Sequence, residues 1–196
     1  PSVRRMTAWL REERASVAPF GSPDQRTSFA PNRIAIEKLD GRVVAENSDF
    51  AALFAGHGLA TPWGPLHRAH FNGYAMWTYL NSPFVLAMEG VTVEERPPWR
   101  EGDEEWRVLR AWFPPDIITH SRRQDFYFGA DRMLRRHDYQ LDVAGGFPAA
   151  QLTGDYVEAD GIRLPTRRRA YARGPDNRPV LDLLLVSIDI DNVRLA

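Results

Sequence analysis

Residues 155–168 read DYVEADGIRLPTRR, and this stretch decides the class of fold. An Asp-Gly pair at 160–161 separates two runs of strand-forming residues. Such a pair predicts a tight hairpin, because both central residues of the turn need positive φ. The register that this turn imposes places Glu158 opposite Arg163, so that opposite charges pair across the two strands. The stretch therefore predicts two long antiparallel strands.

Strand-forming runs and short turns continue on both sides of this hairpin. The predicted strands are 84–95, 105–113, 123–128, 133–143, 149–158, 162–173 and 180–190. The joins between them leave no room for the crossover helices of a parallel sheet. Residues 84–190 are therefore predicted to form an antiparallel meander rather than a βαβ nucleotide-binding fold. A second Asp-Gly pair, at 40–41, predicts another hairpin earlier in the chain.

Charge and alternation predict the faces of the strand at 133–143. Alternation places Arg136 and Asp138 on one side and His137 and Tyr139 on the other. A register with Asp125 opposite Arg136 pairs their charges across the hairpin. The side that carries His137 and Tyr139 is then a candidate for a polar cluster.

Three helical elements are predicted, near residues 3–15, 48–54 and 65–80. The first has a helix-favouring composition, the second follows an Asn-Ser-Asp cluster that can cap it, and prolines bracket the third. Four ring-bearing residues of the third helix recur at spacings of three and four and so share one side: His67, His70, Tyr74 and Trp77.

Large apolar side chains lie on both alternating sides of 105–113 and 180–190, so these strands need cover on both faces. We expect an α+β fold in which a curved antiparallel sheet, an incomplete barrel of about eight or nine strands, wraps around a central helix at 65–80. At 196 residues, the chain is expected to form a single domain, 1–196. Its abundant aromatic residues would line a small-molecule pocket beside the helix.

The order of elements, together with the hairpin at 155–168, resembles the lipoprotein-carrier (LolA/LolB-like) β-sheet family. In that family an incomplete barrel wraps a helix and holds acyl chains. The resemblance covers roughly the C-terminal half of the chain and implies a hydrophobic guest. The chain departs from the family because it shows neither an export signal nor a lipid-attachment cysteine. No functional residue is transferred.

Candidate site residues follow from the chemistry of their side chains. The predicted catalytic residues are His120, His70, Tyr74 and His137. In this scheme His120 or His70 moves a proton while the other two hydrogen-bond a developing oxyanion. The predicted ligand-binding residues are His67, Trp77, Trp112, Gln124, Phe126 and Tyr139. Each of these could equally be a core or turn residue.

Composition excludes several classes of function. The absence of cysteine removes disulfides, thiolate catalysis, iron–sulfur clusters and cysteine-based zinc sites. His67 and His70 could reach one metal ion, but carboxylate companions are missing from their helix, so we assign no metal and no cofactor. A net charge of −1 argues against nucleic acid as a partner. No apolar run is long enough for a membrane span.

These observations predict a protein that binds a hydrophobic small molecule, such as a polyketide, a terpenoid or an acyl compound. The leading hypothesis is a cofactor-independent isomerase, cyclase or lyase that uses histidine acid-base chemistry. The alternative is a non-catalytic carrier or sensor with the same pocket. We expect a cytoplasmic location, with export left open because the chain begins at Pro1 without a methionine, and a homodimer is also left open.

Overall fold

The computed structural model describes residues 3–195, within which twelve strands form two antiparallel sheets. The five-stranded sheet follows chain order and contains β1 (Arg5–Trp9), β2 (Arg14–Ala18), β3 (Gln25–Ala30), β4 (Arg33–Lys38) and β5 (Val43–Asn47). The seven-stranded sheet also follows chain order and contains β6 (Thr92–Glu101), β7 (Glu104–Trp112), β8 (Arg123–Phe128), β9 (Leu134–Leu141), β10 (Phe147–Ala159), β11 (Ile162–Arg173) and β12 (Pro179–Asp189). The helices are α1 (Phe50–Leu53) and α2 (Pro65–Asn81).

The chain divides into two compact units. The first unit comprises residues 3–88, 114–120 and 143–145, and the second comprises 89–113, 121–142 and 146–195. The single domain predicted for 1–196 stays a prediction, since compact units do not by themselves show independent folding.

The helix α2 packs on the five-stranded sheet of the first unit, chiefly against β2, β3 and β4. Pro65 occupies its first turn, where a missing backbone N–H costs nothing. Gly73 faces Phe29 of β3 so closely that a Cβ at this position would lie 2.5 Å from the phenylalanine Cβ. The glycine therefore permits the close approach of helix and sheet.

The α+β class and the antiparallel meander are confirmed, but the arrangement of strands differs from the expectation. One sheet of eight or nine strands was expected around the helix, whereas residues 3–195 form separate sheets of five and seven strands. The contacts of α2 with sheet strands involve the five-stranded sheet. The alternation of hydrophobic residues could not reveal this division, because it shows which side of a strand is buried and not which other strands pair with it.

The helix predicted near residues 3–15 is wrong. The chain instead forms β1 and β2, and its helix-favouring residues at 10–13 lie in the turn between them. Ala15 and Val17 alternate with partly exposed residues, so one face of β2 is buried. Burial at a period of two has overridden local helix propensity. The helices predicted at 48–54 and 65–80 are confirmed as α1 and α2.

The first part of the strand predicted at 84–95 is also wrong. Phe84–Ala87 forms a 3₁₀ helix, and β6 begins at Thr92. A short apolar run cannot be assigned to strand or helix by periodicity alone. No helix within residues 3–195 is both long and apolar enough to cross a bilayer.

The two predicted hairpin registers have different outcomes. Glu158 pairs with Arg163 as predicted. The register of Asp125 with Arg136 is wrong, since Asp125 lies opposite Asp138 and a β-bulge follows Tyr127. The bulge shifts the pairing, which charge matching alone could not detect.

Candidate functional site

The His70 imidazole lies inside an aromatic cluster of the first unit. Its ring contacts Phe29, Phe50, Phe54 and Tyr74, with ring centroids 4.1 to 5.7 Å away. Among residues 3–195, neither ring nitrogen has a hydrogen-bond partner. Burial lowers the pKa of His70 to about 4, so the ring is neutral at pH 7.

His120 is fully buried in the same unit, on the segment that follows the second apolar strand of the meander. Its Nε2 lies 2.8 Å from the Tyr79 hydroxyl, and its ring is stacked on Tyr79 and edge-on to Tyr74. Burial lowers the pKa of His120 to about 3. Tyr74 therefore contacts both predicted acid-base histidines, His70 and His120.

Glu13 holds the segment that carries His120. Both of its carboxylate oxygens accept from the Ile118 backbone N–H, at 3.0 and 3.1 Å. Burial raises the pKa of Glu13 to about 8, against the opposing effect of this hydrogen bond, and the nearby Asp116 raises it further. Sequence reasoning missed Glu13, because its neighbours Glu12 and Arg14 make the stretch read as a solvated charged segment.

His67 and Trp77 have structural contacts. His67 Nδ1 accepts from the Gly64 N–H at 2.9 Å, and its Nε2 lies 2.9 Å from the Leu53 carbonyl oxygen. Both contacts suit the neutral ring with the proton on Nε2, so neither nitrogen has a free lone pair directed at a metal. The Trp77 indole N–H donates to the Trp9 and Glu12 carbonyls.

Four of the predicted residues meet on one face of the seven-stranded sheet in the second unit. His137 Nε2 lies 2.6 Å from the Gln124 Oε1, and its ring stacks on Phe126 with centroids 4.2 Å apart. Tyr139 lies beside the imidazole at 4.9 Å. All four side chains are buried. Trp112 is paired with Arg123 in the register of β7 and β8, which places it on the opposite face from Phe126.

A charged network occupies the other face of this sheet. Asp138 is buried and accepts from the Nε and Nη2 of Arg136, both at 2.6 Å, from Arg173 at 3.0 Å and from the Tyr127 hydroxyl at 3.1 Å. The fully buried Arg136 guanidinium lies over the rings of Tyr127 and Trp99 at 4.6 and 4.9 Å. Burial is the largest single influence on the pKa of Arg136 and lowers it, but the hydrogen bonds with Asp138 and the negative charge of Asp138 act together, with smaller contributions from Tyr127 and Glu101, to raise it overall.

A cavity of about 260 Å³ opens beside this network, within the second unit. Its charged lining residues are Arg96, Arg110, Arg123, Asp125, Asp138 and Arg173. Trp99, Tyr127 and Val108 supply an aromatic and apolar wall. The oily pocket predicted beside a histidine-bearing helix thus differs from this cavity, which is lined by strands of one sheet and the turn before β12 and carries four guanidiniums.

Sequence reasoning missed this cavity although one signal pointed to it. The predicted alternation, with Arg136 and Asp138 on one side of their strand, is what the structure shows. The prediction places a candidate polar cluster on the opposite side, which carries His137, and no cavity on the side of Arg136 and Asp138. Charged side chains are seldom fully buried, so their alternation alone does not indicate a cavity. The residues that cover the buried Arg136 are Trp99 and Tyr127, which lie close to it in space. They lie on other strands, so the pattern within β9 does not reveal them.

Comparison with known proteins yields a likeness of fold. No protein-family model matches the chain, and no curated protein sequence matches it. A solved LolA superfamily protein from Nitrosomonas europaea is similar in structure, with a TM-score of 0.51 and 10% sequence identity. The match covers 89% of this chain and 70% of that protein. The resemblance to the LolA-like family stated from the sequence is therefore confirmed, as a weak likeness that concerns the fold alone.

Proposed function

We propose that this chain binds a hydrophobic small molecule and carries it without changing it chemically. One observation carries this proposal: the cavity of the second unit has an aromatic and apolar wall but is lined by none of the histidines of residues 3–195. A guest in this cavity would contact rings and guanidiniums rather than a neutral acid-base pair. The likeness of fold to a LolA superfamily protein supports the same function by analogy, since the resemblance to that family implies a hydrophobic guest.

A fluorescence titration with N-phenyl-1-naphthylamine, a neutral apolar probe, tests binding. We expect saturable binding that the substitution W99A weakens about tenfold or more, because Trp99 forms part of the cavity wall. W112A is the matched control, since Trp112 lies on the same sheet but does not line the cavity. Probe binding that W112A weakens and W99A leaves unchanged would overturn this location of the site, provided both variants unfold cooperatively.

A second candidate function is the cofactor-independent isomerase, cyclase or lyase. It is favoured by His70, whose ring nitrogens have no hydrogen-bond partner among the residues described, and by Tyr74, which contacts both His70 and His120. The catalytic roles of these residues and of His137 stay predictions. Incubating a bound guest with the chain and with its H70L and H120Q variants distinguishes the two functions. A carrier returns the guest unchanged in all three cases, whereas chemical conversion that either substitution abolishes would establish catalysis.

The cytoplasmic location and the homodimer also remain predictions. Cell fractionation and light scattering of the purified chain test them directly.

A further inference from the structure

We infer that the cavity of the second unit binds an anionic group, a carboxylate or a phosphate, through Arg123. This inference rests on the proposed function and specifies it further, because the carried guest would then be an anionic amphiphile. A cavity of about 260 Å³ lies just below the roughly 300–1,000 Å³ of drug-sized ligand pockets, so it suits a compact apolar group or an anionic head group with the first part of its chain.

The charges of the lining favour an anion. Four arginines face two aspartates there, which leaves an excess of two positive charges. Such an excess beside a low-dielectric wall attracts anions and repels cations.

Each lining aspartate already has its guanidinium partners. Asp125 accepts both donors of a bidentate pair with Arg110, at 2.7 and 2.8 Å. Asp138 is shared between Arg136 and Arg173. The single Asp138 carboxylate therefore faces the guanidiniums of both Arg136 and Arg173, so part of the positive charge of these two arginines remains uncompensated. Neither aspartate is available to hold a cation.

Arg123 is the lining arginine that remains available. Arg96 pairs with Glu94 at 2.5 Å, and Arg110 and Arg173 pair with the lining aspartates. Within the part of the chain that the structure describes, no ion pair involves Arg123, which is exposed and is the first residue of β8. A guanidinium presents donors in a planar fork that matches the oxygens of a carboxylate or phosphate.

The wall of the cavity is already held in place before a ligand binds. The Trp99 indole N–H donates to Glu101 at 2.7 Å, and the guanidiniums of Arg136 and Arg178 lie over its ring at 4.9 and 5.2 Å. The carbonyl of Asn177 accepts from Arg136 and fixes the other side of that guanidinium. A ligand would therefore meet an ordered aromatic surface, which lowers the entropy cost of binding.

The test is calorimetry of the full chain with dodecyl phosphate below its micelle concentration, and with inorganic phosphate. R163Q is the matched control for R123Q: Arg163 is also an exposed arginine of the seven-stranded sheet, and it lies outside the cavity lining. We expect R123Q to weaken dodecyl phosphate binding about tenfold or more and R163Q to change it less than about twofold. Equal affinities of the wild type and both variants would overturn the inference.

Comparing inorganic phosphate, dodecyl phosphate and N-phenyl-1-naphthylamine distinguishes a free anion from a lipid head group and tests the carrier function separately. Inorganic phosphate that binds with the same dependence on Arg123 supports a site for a free anion, whereas binding of dodecyl phosphate alone supports a lipid head group. If the neutral N-phenyl-1-naphthylamine binds and R123Q leaves dodecyl phosphate affinity unchanged, the carrier function stands and the anion site fails. If phosphate binds through Arg123 but neither alkyl chain nor neutral probe adds affinity, the anion site stands and the carrier function fails.

Discussion

Three titratable side chains of the first unit owe their protonation state to burial rather than to an ionic partner. Burial lowers the pKa of His70 and His120 to about 4 and 3, and it raises the pKa of Glu13 to about 8. All three groups are thus held mainly neutral at pH 7. Their charge state links the stability of the fold to pH in opposite directions.

Acidification is expected to destabilise the chain through His70. Its folded pKa of about 4 lies below the ordinary value of 6.5, so the unfolded state binds a proton first and the free energy of unfolding falls as the pH drops from 6.5 towards 4. Urea denaturation at pH 7.5 and pH 4.5 measures this effect. We expect H70L to remove about 2 kcal/mol of the loss seen in the wild type. An H70L variant that loses as much stability as the wild type would contradict this account of the imidazole.

Glu13 has the opposite effect. Its folded pKa of about 8 lies above the ordinary 4.5, so the folded state binds more protons between these values and stability falls as the pH rises through this range. The substitution E13Q keeps an oxygen to accept from Ile118 but removes the titration. Between pH 5 and 8.5 we expect the thermal midpoint of E13Q to fall less than that of the wild type. E12Q is the control, since Glu12 is exposed; parallel profiles for wild type and E13Q would exclude the buried acid.

At the scale of elements, the contact between α2 and β3 depends on Gly73. An alanine Cβ would lie 2.5 Å from both Cβ and Cγ of Phe29, so the helix would have to move away from the sheet. Alanine favours a helix by about 1 kcal/mol, but overpacking costs about 1–3 kcal/mol. We expect G73A to lower the free energy of unfolding by up to about 2 kcal/mol, as measured by urea denaturation. An F29A background removes the Cγ and the ring but keeps the Cβ, so the same substitution should cost less there than in the wild type. An equal loss in both backgrounds would show that the ring of Phe29 does not cause the cost.

The paired strands β8 and β9 place Asp125 directly opposite Asp138, an arrangement that repels unless each carboxylate is compensated. Because Asp138 neutralises the fully buried Arg136, D138N leaves a buried charge uncompensated. We expect this variant to lose about 3 kcal/mol or more of stability in urea denaturation, and D125N, whose partner Arg110 is partly exposed, to lose about 1 kcal/mol. Similar losses for both variants would show that burial of Arg136 does not set the cost.

For the whole molecule, local sequence signals predicted individual helices and hairpins better than the pairing of distant strands. The Asp-Gly hairpin with Glu158 opposite Arg163 and the proline-bracketed helix α2 were predictable, because a few neighbouring residues determine them. The division into two sheets was not, since it depends on which distant strands pair. The β-strands at residues 5–18 were missed for the same reason.

In the candidate site, too, only the features that depend on neighbouring residues could be predicted from the sequence. The cluster of His137 with Gln124 was predictable as a polar face, because it needs only the alternation of two neighbouring strands. The cavity lined by Arg123 was not, since its wall includes Trp99, from a strand more distant in the sheet order. A sequence shows which charges share a face, and the packing of distant aromatic residues decides which of these faces holds a cavity.

The central claim is that this chain holds an apolar guest in the second unit and leaves it unaltered. Native mass spectrometry of protein isolated from its own host tests this claim most directly, with extraction of the released compound and its return to the guest-free chain. We predict a bound amphiphile that is released intact, rebinds, and is recovered with the same mass after prolonged incubation. Recovery of a chemically altered compound, or a chain that carries no guest and takes up none of the amphiphiles offered, would contradict the claim.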